Sequence, residues 1–150
     1  MNRVAMCNAV CGHCKRNFPY PSLGDFAYGD FILHREDGRA FRYLHAIENA
    51  VWDFVAARVK PKSQGAIRSS GVILQEVVAR LTDPSEGHSF TIAMVCPYCK
   101  SRHFQEWGGE QASSEEISDA TFHSFNSLDQ SSKEPLVREI ERLVNAEQGA

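Results

Sequence analysis

Apolar residues recur at helical spacing in the first half of the chain. From Leu44 or Ala46 to about Val59 they lie three or four positions apart, and Pro61 ends the segment. The apolar positions are Ile47, Val51, Phe54, Val55 and the aliphatic stem of Arg58. The pattern therefore predicts a helix that buries one face.

Two further stretches have the same spacing. After a linker over residues 60–65, Ser69 or Ser70 can cap a second helix that ends at Leu81, before Pro84. Its predicted buried stripe is Val72, Ile73, Val77, Val78 and Leu81, although this β-branched run also fits a strand. A C-terminal helix is predicted over 131–147, with Pro135 in its first turn. Its predicted apolar face is Leu136, Ile140, Leu143 and Val144.

A strand pattern surrounds the dipeptide Asp37-Gly38. Residues 31–36 and 39–44 alternate on either side of it, and Asp-Gly favours a two-residue hairpin turn with positive φ at both positions. Glu36 would then face Arg39. Both faces of this hairpin carry apolar residues, so we expect it to be covered on more than one side.

Two short segments repeat the pattern Val-Cys-x-x-Cys-Lys. They are Val10 to Lys15 and Val95 to Lys100. A two-residue gap lets one tight turn present both thiolates to a single ion, and two such turns supply four soft ligands to tetrahedral zinc. Cys11, Cys14, Cys96 and Cys99 are therefore the predicted ligands of one structural Zn²⁺ per chain.

The remaining chemistry around these cysteines stays open. Cys7 is interpreted first as a small buried apolar side chain. Cys7 and His103 are also candidates for a substitute ligand or for a hydrogen bond to the ligands, and iron in a rubredoxin-like centre is the alternative metal. Cys96-Pro97-Tyr98-Cys99 also resembles the glutaredoxin active-site motif. In that family the motif opens a helix near the N-terminus, whereas here a predicted strand follows, so a structural metal site is preferred.

The predicted strands 89–95 and 103–107 flank the second cysteine pair. With them the chain resembles the broad zinc-ribbon group, in which an antiparallel hairpin carries one CxxC pair and another knuckle supplies the second. Cys14 and Cys96 are 82 positions apart, while compact ribbons separate their knuckles by about 15 to 20. The resemblance therefore implies an α+β fold with an inserted hairpin and two helices, plus a C-terminal helix.

We expect a single zinc-stabilised domain over residues 1–150. Residues 1–18 would form the first knuckle, 19–87 the insertion, 88–107 the second knuckle, 108–130 an acidic connection and 131–147 the last helix. A short helix capped by Ser113 is an option in the acidic connection. A hydrophobic fraction of 43% and a charged fraction of 23% are ordinary for a folded globular protein.

The charge distribution and the N-terminal sequence indicate which cellular location and partners to expect. The net charge is −3; residues 1–107 hold 13 Lys and Arg against 10 Asp and Glu, and residues 108–150 hold 3 against 9. The longest apolar run, residues 91–96, is shorter than a bilayer requires. The N-terminus has no apolar signal core, so we expect a cytoplasmic protein without a membrane partner.

No catalytic motif nominates a reaction. The HExxH, Walker and nucleophile-elbow patterns are missing from the sequence. We therefore expect a non-catalytic protein-binding module, such as an adaptor, a regulator or an immunity-type inhibitor. A nucleic-acid-binding zinc ribbon is the alternative, and an enzyme with a remote structural zinc is a lesser one. The basic residues available for nucleic acid are Arg58, Lys60, Lys62, Arg68, Lys100 and Arg102.

Overall fold

Strands and helices lie in separate parts of the chain. The computed structural model describes residues 2–23, 28–59, 70–107 and 113–148. The chain divides into two compact units, the first comprising Met1–Ile47 with Pro84–Ala120 and the second Glu48–Asp83 with Thr121–Ala150. Among the described residues, every strand belongs to the first unit and every helix to the second. The prediction of one zinc-stabilised domain, with its internal boundaries, stays a prediction.

The fold is mixed, with antiparallel sheets and helices, as the sequence predicts. In chain order the elements are β1 (Asn2–Cys11), β2 (Asn17–Ser22), β3 (Asp30–Arg35), β4 (Phe41–His45), α1 (Ala50–Ala56), α2 (Ser70–Leu81), β5 (Phe90–Thr91), β6 (Phe104–Glu106), β7 (Ser113–Ile117), α3 (His123–Asn126) and α4 (Gln130–Gln148).

β1 is the central strand of the first sheet. It pairs with β2 along one side, from Ala5 opposite Ser22 to Val10 opposite Asn17. On its other side it pairs with β7 near its start and with β6 near its end, all antiparallel. The strand therefore carries Cys11 at the end that β6 covers. β7 corrects the option of a short helix capped by Ser113, because residues 113–117 are extended.

The hairpin of β3 and β4 has the predicted register. His34 lies opposite Phe41 and Phe31 opposite Leu44, which is the pairing counted outward from Asp37-Gly38. The turn itself is different, since φ is +75° at Gly38 and is not positive at Asp37. It is a wider turn in which the Gly38 N–H donates to the Arg35 carbonyl at 2.7 Å. A two-residue turn with positive φ at both positions is therefore wrong here.

The strand pair expected around the second cysteine pair belongs to two different sheets. β5 is only two residues long and pairs with β3, whereas β6 pairs with β1. The antiparallel hairpin that carries a CxxC pair at its turn is instead β1 and β2. The specific zinc-ribbon arrangement is therefore not confirmed, and the fold is mixed α and β with two antiparallel sheets.

The helices of the second unit pack through narrow apolar faces. α2 matches its predicted bounds and buries Ile73, Val77, Val78 and Leu81. α1 begins only at Ala50, because β4 extends to His45 and the Asn49 side chain accepts a hydrogen bond from the Trp52 N–H at 3.0 Å. Ile47, predicted to be in this helix, is therefore outside it and is exposed.

α4 confirms the C-terminal helix but only part of its predicted apolar face. Val144, a predicted member of that face, is fully buried and Ile140 is half-buried, whereas Leu136 and Leu143 are 36% and 41% exposed and the fully buried Val137 was not predicted. The helix also begins at Gln130, so Pro135 lies beyond the first turn. The predicted stripe is therefore rotated by about one residue relative to the face that α4 buries.

Asp83 connects the end of one segment of the second unit to the start of the other. Its carboxylate accepts hydrogen bonds from the His123 and Ser124 N–H groups at 2.8 and 2.9 Å and from the Thr121 hydroxyl at 2.7 Å. Asp83 thus supplies acceptors to the first turn of α3, whose own N-cap side chain, Phe122, has none.

None of the helices in the described part of the chain combines the length and the hydropathy of a membrane-spanning segment.

Candidate metal centre

The two cysteine pairs form turns with the same backbone hydrogen bonds. In the first turn, the Lys15 N–H donates to the Cys11 carbonyl at 3.1 Å; in the second, Lys100 donates to Cys96 at 3.0 Å. Each turn is closed by the N–H of its first cysteine, which donates to Arg16 in one turn and to Ser101 in the other. We call these turns knuckle 1 (Cys11–Arg16) and knuckle 2 (Cys96–Ser101). The repeated sequence pattern therefore forms a repeated local structure.

The structure brings the four predicted ligand atoms together. The Sγ atoms of Cys11, Cys14, Cys96 and Cys99 all lie within 4.8 Å of one another. Cys11 Sγ lies 3.5 Å from Cys99 Sγ, and Cys14 Sγ lies 3.7 Å from Cys96 Sγ. For Zn–S bonds of about 2.3 Å, the edge of a regular tetrahedron is about 3.8 Å. The spacing therefore fits a tetrahedral metal ion, and it is far longer than the roughly 2.05 Å of a disulfide bond.

Hydrogen bonds from the backbone favour a thiolate at Cys11. Burial raises the pKa of Cys11, but N–H groups of Cys14 and His13, 3.4 and 3.3 Å from its sulfur, outweigh burial and lower this pKa. At Cys99 the Ser101 N–H lowers the pKa, but burial and the neighbouring thiols raise it above its ordinary value. Four anions at this spacing repel one another, so full deprotonation requires a cation among them.

A small apolar cluster surrounds the sulfurs. Cys11 and Cys96 are fully buried together with Ala9 and Phe18, and Cys14 and Cys99 are half-buried. Tyr20, Met94 and Phe104 pack against this cluster. Such surroundings limit the access of water to the ligands, which strengthens charge interactions at the site.

The turn of the β3–β4 hairpin supports knuckle 2. A Cβ atom on Gly38 would lie 2.6 Å from the Val95 carbonyl oxygen and 3.0 Å from the backbone of Pro97, so glycine allows a close approach as well as its positive φ. The Lys100 ammonium also donates to the Asp37 carbonyl at 3.2 Å. The hairpin that the sequence assigns to an insertion therefore contacts the metal centre directly.

A buried ion pair holds this turn. The Arg35 guanidinium donates to both carboxylate oxygens of Asp37, at 2.7 and 2.8 Å, and both side chains are largely buried. Arg35 lowers the pKa of Asp37 to about 2. The Asp37 carboxylate also accepts from the Arg39 N–H at 3.0 Å, so the same residue closes the turn. The sequence indicates Asp37 only as a turn residue, because its pairing with Arg35 depends on how the chain bends between the two.

The other candidate residues are not in the sulfur cluster. Cys7 lies on β1 opposite Tyr20, with a free thiol, and His103 precedes β6. The His103 backbone does contact knuckle 1, because its carbonyl accepts from the Gly12 N–H at 2.8 Å. A role for either side chain toward the metal stays a prediction.

The basic residues proposed for nucleic acid have separate surroundings. Arg58 lies over the Phe54 ring, with 3.5 Å between its Cζ atom and the ring centroid, and donates to the Phe54 carbonyl. Lys60, Lys62 and Arg68 lie outside the described residues. Lys100 and Arg102 are exposed beside knuckle 2.

An open cleft that the sequence does not predict lies next to the metal centre. Its volume is about 430 Å³. It is lined by Ala93, Met94, Arg102, His103, Phe104 and Trp107. The sequence predicts Trp107 as the end of the strand 103–107, whereas β6 ends at Glu106 and Trp107 is 67% exposed. The signal that could have found it is the mixture of basic and aromatic residues in Arg102-His103-Phe104-Gln105-Glu106-Trp107.

Comparison with known proteins identifies no relative. Neither a protein-family model, nor a curated protein, nor a solved structure matches the chain. The features of the chain that bear on function are therefore the four-cysteine centre and the surfaces beside it.

Proposed function

We propose that this is a non-catalytic binding protein whose first unit is stabilised by a structural zinc ion. The observation that carries the proposal is the cluster of four cysteine sulfurs, all within 4.8 Å of one another and at nearly tetrahedral spacing. Zinc with four thiolate ligands has no open position for water or substrate. Such a centre stabilises a fold and does not activate a nucleophile.

The topology supports a structural role for this ion. Knuckle 1 follows β1 and knuckle 2 follows β5, so the ligands come from segments whose nearest cysteines are 82 positions apart. Structural zinc contributes apparent free energies of about 10–16 kcal/mol in small peptides, which rivals the net stability of a domain. We infer that the ion joins the two knuckles and that the first unit loosens without it.

Zinc is the metal that we propose, with iron as the alternative. Both ions accept four thiolates in a tetrahedron, so geometry alone does not separate them. Iron–thiolate centres absorb visible light, whereas zinc centres are colourless. The colour of the purified protein therefore provides a first discrimination.

The test measures metal content and the stability that depends on it. Elemental mass spectrometry of untagged protein should give about one zinc ion per chain. Chelation should lower the unfolding temperature, and added zinc should restore it. Replacement by cobalt(II) should give the absorption of a tetrahedral tetrathiolate site. A metal-free protein with unchanged unfolding after chelation would overturn the proposal, and stoichiometric iron would change the metal assignment.

The binding partner belongs to the proposal as well. A cytoplasmic protein partner, as for an adaptor, a regulator or an immunity-type inhibitor, remains the prediction from the sequence. One observation favours the other class: the cleft beside knuckle 2 combines exposed basic and aromatic side chains, and no acidic side chain lines it among the described residues. This combination is the usual composition of sites for single-stranded nucleic acid.

A further inference from the structure

The cleft beside knuckle 2 has the composition of a stacking site. Phe104 and Trp107 contribute aromatic rings, and Arg102 and His103 contribute polar side chains at the same opening. It is open to solvent and has a volume of about 430 Å³. A flat aromatic group therefore fits the space, and a charged group attached to it could reach Arg102.

Trp107 is the exposed wall of this cleft. It keeps 67% of its surface exposed, although tryptophan is the side chain with the largest apolar area to bury. Phe104, in contrast, is half-buried because it packs on the sulfur cluster and lies with its ring centroid 5.7 Å from that of Phe18. One ring is thus fixed by the metal centre while the other is available for a ligand.

Arg102 is the available cation. It is exposed, and within the described part of the chain its guanidinium has no hydrogen-bond acceptor or carboxylate partner. Lys100, two residues earlier, is by comparison engaged with the carbonyl groups of Asp37 and Pro97. Arg102 can therefore bind an anion without breaking an interaction with any of the described residues.

Basic residues are concentrated at the two knuckles even though the whole chain is acidic. Lys15, Arg16, Lys100 and Arg102 are exposed in or beside the knuckles, and they balance the formal −2 charge of a zinc tetrathiolate together with the exposed carboxylates of Glu36 and Glu106. Arg16 also lies over the ring of Tyr98, with its Cζ atom 4.9 Å from the centroid, and Tyr98 keeps 47% of its surface exposed. The acidic strand β7 pairs with the opposite end of β1, from Asn2 to Met6.

A second cleft nearby is less suited to an anion. It is lined by Glu36, Asp37, His88, Lys100 and Arg102. The His88 ring nitrogen lies 3.2 Å from the Glu36 carboxylate, so two acidic side chains and a histidine occupy one side. Arg102 borders both clefts, and the mixed charges of this second cleft favour a phosphate on the side of Trp107.

We propose that the Trp107 cleft binds an unpaired base of single-stranded nucleic acid. In this interaction the base stacks on Trp107, and the adjoining phosphate contacts the Arg102 guanidinium. Single strands are required because a base in a duplex has both faces covered by its neighbours, whereas an unpaired base has a free π-face. The inference deepens the proposed function and rests on it, since the zinc-bound knuckle precedes Arg102 and fixes the start of this segment.

The experiment uses the full-length protein with its metal content measured in the same sample. A fluorescein-labelled 20-nucleotide oligo(dT), oligo(rU) of the same length and a 20-base-pair DNA duplex are titrated at low and at moderate salt. Fluorescence anisotropy reports binding. Trp107→Ala should weaken binding to the single strands about tenfold or more, and Trp107→Phe, which keeps an aromatic face, should retain most of it. Arg102→Gln should weaken binding and reduce its salt dependence.

Arg142→Gln is the matched control for the charge change. Arg142 is an exposed arginine on α4, in the other unit, and it pairs with Glu139. Its substitution removes the same charge and should leave the affinity within about twofold. Thermal unfolding of each variant verifies that the fold is retained. A base stacked on Trp107 quenches the fluorescence of this side chain, so the single strands should quench the wild-type protein more than Trp107→Ala.

Each outcome bears on one proposal at a time. A protein with about one zinc ion that shows no anisotropy change at low salt overturns the nucleic-acid inference and leaves the structural zinc standing. Equal binding of duplex and single strand, unchanged by Trp107→Ala, overturns the stacking site. A metal-free protein that binds the single strands through Trp107 overturns the zinc proposal, and with it the dependence of the cleft on a zinc-bound knuckle, but leaves the stacking site standing. Protein partners captured through this cleft, without nucleic-acid binding, would also contradict the inference.

Discussion

Lys15 and Lys100 occupy the same position in their knuckles and adopt the same strained backbone. Their φ angles are +65° and +67°, and each N–H donates to the carbonyl of the first cysteine in its own turn. The left-handed region is unfavourable for residues with a Cβ atom, and most of all for β-branched residues. The metal centre therefore holds two lysines where glycine would be less strained.

This geometry predicts that two substitutions at position 15 differ in stability. Lys15→Gly and Lys15→Val both remove the contact of the lysine ammonium with the Gly12 carbonyl. Glycine tolerates positive φ and valine does not. We therefore expect the free energy of unfolding of Lys15→Val to be about 2 kcal/mol lower than that of Lys15→Gly. Urea unfolding of the zinc-loaded protein measures this difference.

Asn17 provides the matched control for this pair. It begins β2, where an extended backbone favours valine over glycine. Asn17→Val should therefore be at least as stable as Asn17→Gly, which is the opposite order. The same order at both positions would contradict the assignment of strain to Lys15.

The cysteines allow the metal site to be separated from ordinary packing. Cys99→Ser removes one of the four ligands, and we expect it to lose most of the bound zinc and to lower the unfolding temperature of the protein markedly. Cys7→Ser is the control, because Cys7 is a partly buried free thiol outside the cluster. Elemental analysis and calorimetry of both variants make the comparison. Unchanged metal content and unfolding in Cys99→Ser would refute the site.

Adjacent residues of α4 should differ sharply in their response to truncation. Val137 is fully buried and Leu136 is 36% exposed. Val137→Ala should lower the free energy of unfolding by about 2 kcal/mol because it leaves a cavity in the core. Leu136→Ala should change it by less than about 0.5 kcal/mol. Denaturant unfolding of both variants measures the contrast, and the reverse order would place the buried face of α4 where the sequence predicted it.

Asp83 should give the second unit a stability that depends on pH. Burial raises the pKa of this carboxyl, but the Ser124 N–H, the Thr121 hydroxyl and the His123 N–H outweigh burial and lower it to about 2. The folded pKa is therefore below the unfolded value of about 3.9. The stabilisation is fully present above about pH 4 and is lost as the pH falls toward 2.

Asp83→Asn isolates this contribution. At neutral pH it should lower the free energy of unfolding by about 1 kcal/mol, because the hydrogen bonds to the first turn of α3 lose a charged acceptor. Its difference from the wild type should shrink between pH 4 and pH 2. Asp53→Asn, an exposed change on α1, should have a small effect. A difference that is constant over this pH range would show that the Asp83 charge is unimportant.

The local patterns of the sequence predicted the elements that depend on local chemistry. The cysteine spacing gives two knuckles of one shape, the alternation around Asp37-Gly38 gives the hairpin register, and the periodicity up to Leu81 gives α2. Each of these features is determined within about a dozen residues. The four ligands could be chosen because thiolate pairs with this spacing have a specific chemistry.

The predictions that failed depend on contacts between distant segments. The short strand β5 joins β3 instead of β6, because Phe90 and Thr91 pair opposite Arg35 and His34. Likewise Leu136 and Val137 are similar in hydropathy, and the packing of α4 on its neighbours decides which of them is buried. Periodicity gives the width of an apolar face, but its exact rotation depends on the partner helix.

The separation of the two knuckles also has a consequence for the growing chain. Cys14 precedes Cys96 by 82 positions, and ribosomes add about 5–20 residues per second, so knuckle 1 emerges roughly 4 to 16 s before its partner. During that interval two thiols are exposed without the other half of their site. A nascent chain must protect Cys11 and Cys14 from oxidation, or load them with a provisional ion, until knuckle 2 has been synthesised.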